Sequence, residues 1–146
     1  MSWTQLLADK RVATEPATKQ ELDDLRGVVA RSIKDAQAIN LSADGKFGFA
    51  YNAARSIATI VVRASGYRVK SQGGGHYNTF LALGAADPAF AAIAVYFDAC
   101  RVKRNEFSYD EADVVSDTEA DELETKATQF AVDVEAWLKA NHPNLA

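Results

Sequence analysis

Arg104 and Asn105 stand together near the end of the stretch YFDACRVKRNEFSY, with Arg101 just before them and Tyr109 shortly after. At the helical repeat of roughly 3.6 residues per turn, Phe90, Ile93, Phe97 and Arg104 share one side, with Arg101 at its edge. Asp98, Arg101, Asn105 and Tyr109 form an adjacent polar strip. An apolar stripe continued by arginine either meets solvent or builds a polar site. In the solvent reading, Arg104 pairs with Glu106 or Glu111 near a helix C-terminus, where a cation is favoured. In the site reading, the guanidinium's planar fork donates two hydrogen bonds at once to a phosphate. Asn52, Arg55 and Arg63 lie off the apolar line of the preceding alanine-rich stretch FAYNAARSIATIVVRASGYR and are available to complete a small basic cluster.

Other chemistries are poorly supplied. The chain has one cysteine, Cys100, and two histidines, His76 and His142, so neither an internal disulfide nor a structural zinc site is expected. No nucleophile-elbow sequence accompanies His76. The glycine triplet before His76 lacks the Lys-Ser/Thr ending of a phosphate-binding loop. The acidic stretch DEADVVSDTEADELE lacks the spacing of a calcium loop and reads as solvated charge at a helix N-terminus. No metal or cofactor is expected. Cys100 reads as a small buried hydrophobe, Phe130 and Trp137 as core or contact residues, and Trp3 as a pin for an N-terminal helix. With a net charge of −4, nucleic-acid affinity would have to come from a local basic patch.

The elements that must position these residues are helices. At 146 residues the length fits a single domain, residues 1–146, with 1–15 as a short N-terminal helix or arm. Thr18 and Glu21 form a capping-box pattern ahead of Leu22, Leu25, Val28, Val29, Ile33 and Ala36, which are spaced as one helix face. Ser42 and Asp44 are N-cap candidates for a helix from about 46 to 65, stopped by Gly66. A short helix follows the glycine triplet and closes at Gly84. Asp87-Pro88 starts another helix, running to about Tyr109. Ser116 and Glu119 cap the last one, which ends at His142-Pro143. No stretch alternates long enough to argue a sheet. The expected fold is all-α, an up-and-down bundle of about five helices. No apolar run is long enough to span a bilayer and no signal peptide is recognisable, so no membrane and a cytoplasmic location are expected.

On its helix order, its loop GGGHYNTF and its segment YFDACRVKRNEFSY, the chain resembles the HEPN superfamily over roughly residues 18–142. That family's hallmark is an arginine followed by a polar residue, with a histidine a few residues later. Arg104-Asn105 matches the first part; Tyr109 stands where the histidine would be, and Asp110 and Glu111 follow. The resemblance implies a homodimer, an RNA or nucleotide ligand, a toxin–antitoxin or defence-type system, and a cognate partner such as a nucleotidyltransferase. It implies catalysis, where present, as a metal-independent endoribonuclease. Arg104, Asn105 and Tyr109 are then the candidate catalytic residues, and Asn52, Arg55, Arg101 and His76 the candidate ligand-binding ones. Tyrosine, with a reference pKa near 10, is a poor base at neutral pH but can bond a phosphate or stack on a base. The absent histidine leans the expectation toward a non-cleaving binder. A non-catalytic protein–protein interaction module is the alternative, consistent with the acidic balance.

Overall fold

The computed structural model describes residues 1–70, 74–109 and 114–146, without the side chains of 106–109. Ser2 caps α1, Trp3–Ala8, through a reciprocal capping box with Gln5. A short strand β1, Val12–Thr14, leads to α2, Lys19–Ala36. The Thr18 hydroxyl accepts from the Glu21 N–H at 3.2 Å, so the cap forms. The Glu21 carboxylate does not close the box, because it pairs with Arg63 and Arg68 instead. Leu22, Val29 and Ala36 are the buried stripe of α2.

Helix α3, Ala43–Ala64, starts a turn earlier than the residue pattern predicts, with Ser42 accepting from the Gly45 N–H at 3.0 Å. Most of its residues from Phe47 onward are buried, while Gly48, Asn52, Arg55 and Thr59 make one partly exposed face. It packs against α2, α4, α5 and α6, and Ala50, Ala53, Ala54 and Ala58 let those neighbours come close. Gly66, at φ +92°, makes the left-handed turn out of α3 that a side chain would resist.

Strand β2, Tyr67–Val69, pairs antiparallel with β1 in the register Val12↔Val69, Ala13↔Arg68 and Thr14↔Tyr67. This small sheet departs from the purely helical expectation; strands of three residues show no legible alternation. Helix α4, Gly75–Ala86, runs through Gly84 rather than stopping there, because Asp87 and Pro88 end it by starting the next element. A 3₁₀ turn over Pro88–Phe90 feeds α5, Ala91–Tyr109. Ser116 and Glu119 close a reciprocal capping box ahead of α6, Asp117–Asn141.

The main core is threaded by aromatic rings. Tyr51 of α3 meets Phe80 of α4 at 5.9 Å between centroids, Phe80 meets Phe97 of α5 at 5.8 Å, and Phe97 meets Phe130 of α6 at 5.3 Å. Edge-on and tilted ring contacts of this kind add to the value of burial alone. A second, smaller core of Leu6, Val12, Val62 and Ala82 lies under α1 and the sheet, where Trp3 stacks on Tyr67 at 4.1 Å.

Candidate functional site

The site begins with a buried hydroxyl. Tyr51 lies on the apolar line of α3 and is fully buried, yet its hydroxyl needs a hydrogen-bond partner. His76, in the first turn of α4, supplies it: Tyr51 Oη and His76 Nδ1 are 3.0 Å apart. If the hydroxyl did not donate here, its proton would be unbonded among the described residues. Donation to Nδ1 assigns the neutral tautomer with the proton on Nε2, so His76 presents a donor.

Three arginines surround this pair. The Arg104 guanidinium sits over the Tyr51 ring, 5.2 Å from its centroid. Arg55, one turn along α3, lines a cleft with His76. Arg101 bonds Asp98 at 2.7 Å through Nε and lies 5.6 Å from the centroid of the Tyr77 ring. Burial, then Arg55, Arg104 and Arg101, hold the His76 pKa below its ordinary value of 6.5, so the imidazole is neutral at pH 7. Burial pushes the Tyr51 hydroxyl up to about 12 against the pull of the same arginines, so it stays protonated.

Charge compensation is uneven. Arg101 has Asp98, whereas no carboxylate among the described residues lies within ion-pair reach of Arg55 or Arg104. The Arg55 Nε is also buried without a hydrogen-bond partner among those residues. Among the described residues, two guanidinium groups without a carboxylate partner and one imidazole donor therefore converge from α3, α4 and α5; the side chains of Glu106, Asp110 and Glu111, close to Arg104 in sequence, lie outside those residues. The arrangement can hold an anion: the arginines supply charge and the neutral histidine a donor, while the buried Tyr51 hydroxyl, its proton given to Nδ1, orients that ring.

The sequence candidates divide accordingly. Arg55, His76, Arg101 and Arg104 come together around Tyr51. Asn52 and Asn105 are partly buried on α3 and α5, and no hydrogen bond joins either to the cluster among the described residues. Tyr109 is the last residue of α5, and its side chain lies outside the described residues, as do Glu106, Asp110 and Glu111.

Arg63 is a correction, because it does not join the cluster. It is 3% exposed and bonds both Glu21 carboxylate oxygens at 3.0 and 2.9 Å, along with the carbonyls of Glu15, Pro16 and Tyr67. Its role is to lock the N-terminal arm onto the end of α3. Tyr51 is the central residue that sequence reasoning placed only in the core; its signal was a polar tip on an apolar stripe one turn before Arg55.

Cys100 is buried, as expected, and desolvation pushes its thiol up to about 11, away from the reactive thiolate. No helix among the described residues is long and apolar enough to cross a membrane. Compared with protein-family models, with curated proteins and with solved structures, the chain finds no match.

Proposed function

We propose that this chain is a HEPN-like protein that binds RNA or a nucleotide through the arginine cluster around Tyr51 and His76. The observation that carries the reading is the convergence of Arg55, Arg101 and Arg104 on one tyrosine–histidine pair in a protein of net charge −4. Guanidinium groups without carboxylate partners seek an anion, and phosphate is the one their fork fits best. The proposal includes a homodimer, a toxin–antitoxin or defence-type setting, and a cognate partner of nucleotidyltransferase type. A non-cleaving binder is the favoured version, because no histidine follows Arg104-Asn105; the other version is an atypical metal-independent ribonuclease on Arg104, Asn105 and Tyr109, with the neutral His76 as a proton-handling group.

The test is incubation of the protein with mixed-sequence RNA, with and without EDTA, beside Arg104→Ala. The expected result is RNA binding that Arg104→Ala abolishes while helicity by circular dichroism is unchanged. Cleavage that survives EDTA and disappears in the variant establishes the ribonuclease. Undiminished binding in a folded Arg104→Ala protein overturns the site.

The second reading is a non-catalytic interaction module. It is favoured by the outer face of α5, where Val95 is 73% and Val102 47% exposed two turns apart. A folded protein that neither binds nor cuts RNA would support it.

A further inference from the structure

Beside the tyrosine–histidine pair, Arg55 and Thr59 of α3, Arg68 of β2, and His76 and Thr79 of α4 line a half-open cleft of about 350 Å³. Arg55 and Arg68 stand differently in its walls. Arg55 has no carboxylate partner among the described residues, and its Nε is buried without a hydrogen-bond partner there. Arg68 is half exposed, yet its Nε bonds Glu15 and its Nη2 bonds Glu21 at 2.8 Å.

Glu15 and Glu21 against Arg63 and Arg68 make a neutral network of four charges. Its members differ in what holds them. Glu21 gives both oxygens to the buried Arg63, at 3.0 and 2.9 Å. Glu15 is fixed by its backbone: its N–H donates to the Gly66 carbonyl at 2.9 Å, and its own carbonyl accepts from Arg63 at 2.8 Å. The Glu15 carboxylate is half exposed and lies 3.3 Å from Arg63. It can leave without unseating the arm, because Arg63 keeps Glu21 and the carbonyls of Glu15, Pro16 and Tyr67. Its departure changes Arg68. One carboxylate then serves two guanidiniums, and the surplus charge falls on the exposed one, in the wall of the cleft. Exposed ion pairs contribute little to stability, so this contact is readily exchanged.

Resting on the RNA- or nucleotide-binding reading, we infer that Arg68 is a latent arginine of the anion site and that Glu15 is the autoinhibitory carboxylate withholding it. With Glu15 in place, a phosphate at the cleft meets Arg55 and the His76 ring. With Glu15 removed, or claimed by another cation, the next phosphate of a strand meets Arg68 as well. The N-terminal arm thereby sets the strength of the site through one side chain, with no rearrangement of helices.

The deciding experiment measures binding of one mixed-sequence single-stranded RNA by the wild type, Glu15→Gln, Arg68→Ala and the double variant. Glu15→Gln is expected to bind about 2- to 5-fold more tightly, the worth of one exposed ion pair. Its slope of log affinity against log salt should steepen by about 0.7, one further phosphate contact. The double variant should lose both gains. Asp133→Asn, on α6 and outside the walls of the cleft, makes the same change in net charge and should leave affinity unchanged. Arg68→Ala alone reads the mask without touching Glu15 and should leave wild-type affinity within about 2-fold. A gain that Asp133→Asn reproduces or that survives in the double variant overturns the inference. So does the absence of a gain in a Glu15→Gln protein with a wild-type urea midpoint, or a loss of about 10-fold in Arg68→Ala, the worth of a charge-assisted contact already in use. Inorganic tripolyphosphate, followed through the arginine Nε–H signals in NMR spectra, supplies an arm without RNA: the Arg68 signal should move in Glu15→Gln and stay in the wild type. That outcome with no RNA bound by any variant keeps the mask and removes the nucleic-acid reading. RNA binding that needs Arg104 but ignores Glu15 does the reverse.

Discussion

His76 is pulled two ways, and the balance sets a measurable pH dependence. Its Nδ1 accepts from Tyr51, while burial and then Arg55, Arg104 and Arg101 oppose a second proton. In the unfolded chain none of these acts, and the ring titrates near 6.5. As pH falls below that value the unfolded state takes up its proton first, so the folded state loses relative stability. The contribution is complete above the unfolded value and declines through the window between it and the lower folded one. Denaturant titrations from pH 8 to pH 5 should show this loss in the wild type and a smaller one in His76→Gln; identical profiles would remove the assigned environment. The chemistry of this residue was only partly legible in the chain. His76 was a visible candidate, but its partner lies on another helix, and nothing in the spacing from Tyr51 to His76 specifies that α4 folds back across α3.

At the scale of elements, the ends of helices were far more legible than the contacts between them. Ser42, Ser116, Asp87-Pro88 and Gly66 act through neighbours within a few residues, and each marks an end in the structure. The strands were invisible because each spans three residues and is set by pairing across more than fifty positions. Arg63 looked like a surface or site arginine because its partner, Glu21, is distant in sequence and was expected to serve a helix cap. Its burial makes it a lock whose removal strands charge and carbonyls together. Arg63→Ala should cost about 3–5 kcal/mol in urea unfolding, the range for breaking one side of a buried ion pair. Glu21 is only partly buried and retains Arg68, which favours the lower end of that range. A cost under about 1 kcal/mol would mean the arm is held by its apolar contacts alone.

The whole molecule combines a net charge of −4 with a local cluster of three arginines around Tyr51 and His76. On the proposed RNA- or nucleotide-binding function, that contrast limits nonspecific association with nucleic acid and confines attraction to the arginine cluster. For the proposed RNA site, two arginines without a carboxylate partner among the described residues predict a shallow salt dependence: log affinity for single-stranded RNA against log salt should fall with a slope of about −1.4, at about 0.7 per phosphate contacted. A slope several times steeper would require a broad basic surface and sink a site of this size. The division into two cores has an optical consequence. Each carries one of the protein's two tryptophans, Trp137 against Phe90 in the main bundle and Trp3 on Tyr67 over the small one. Intrinsic fluorescence therefore has two addresses: loosening of the N-terminal arm dims or shifts one emitter while the other still reports an intact bundle.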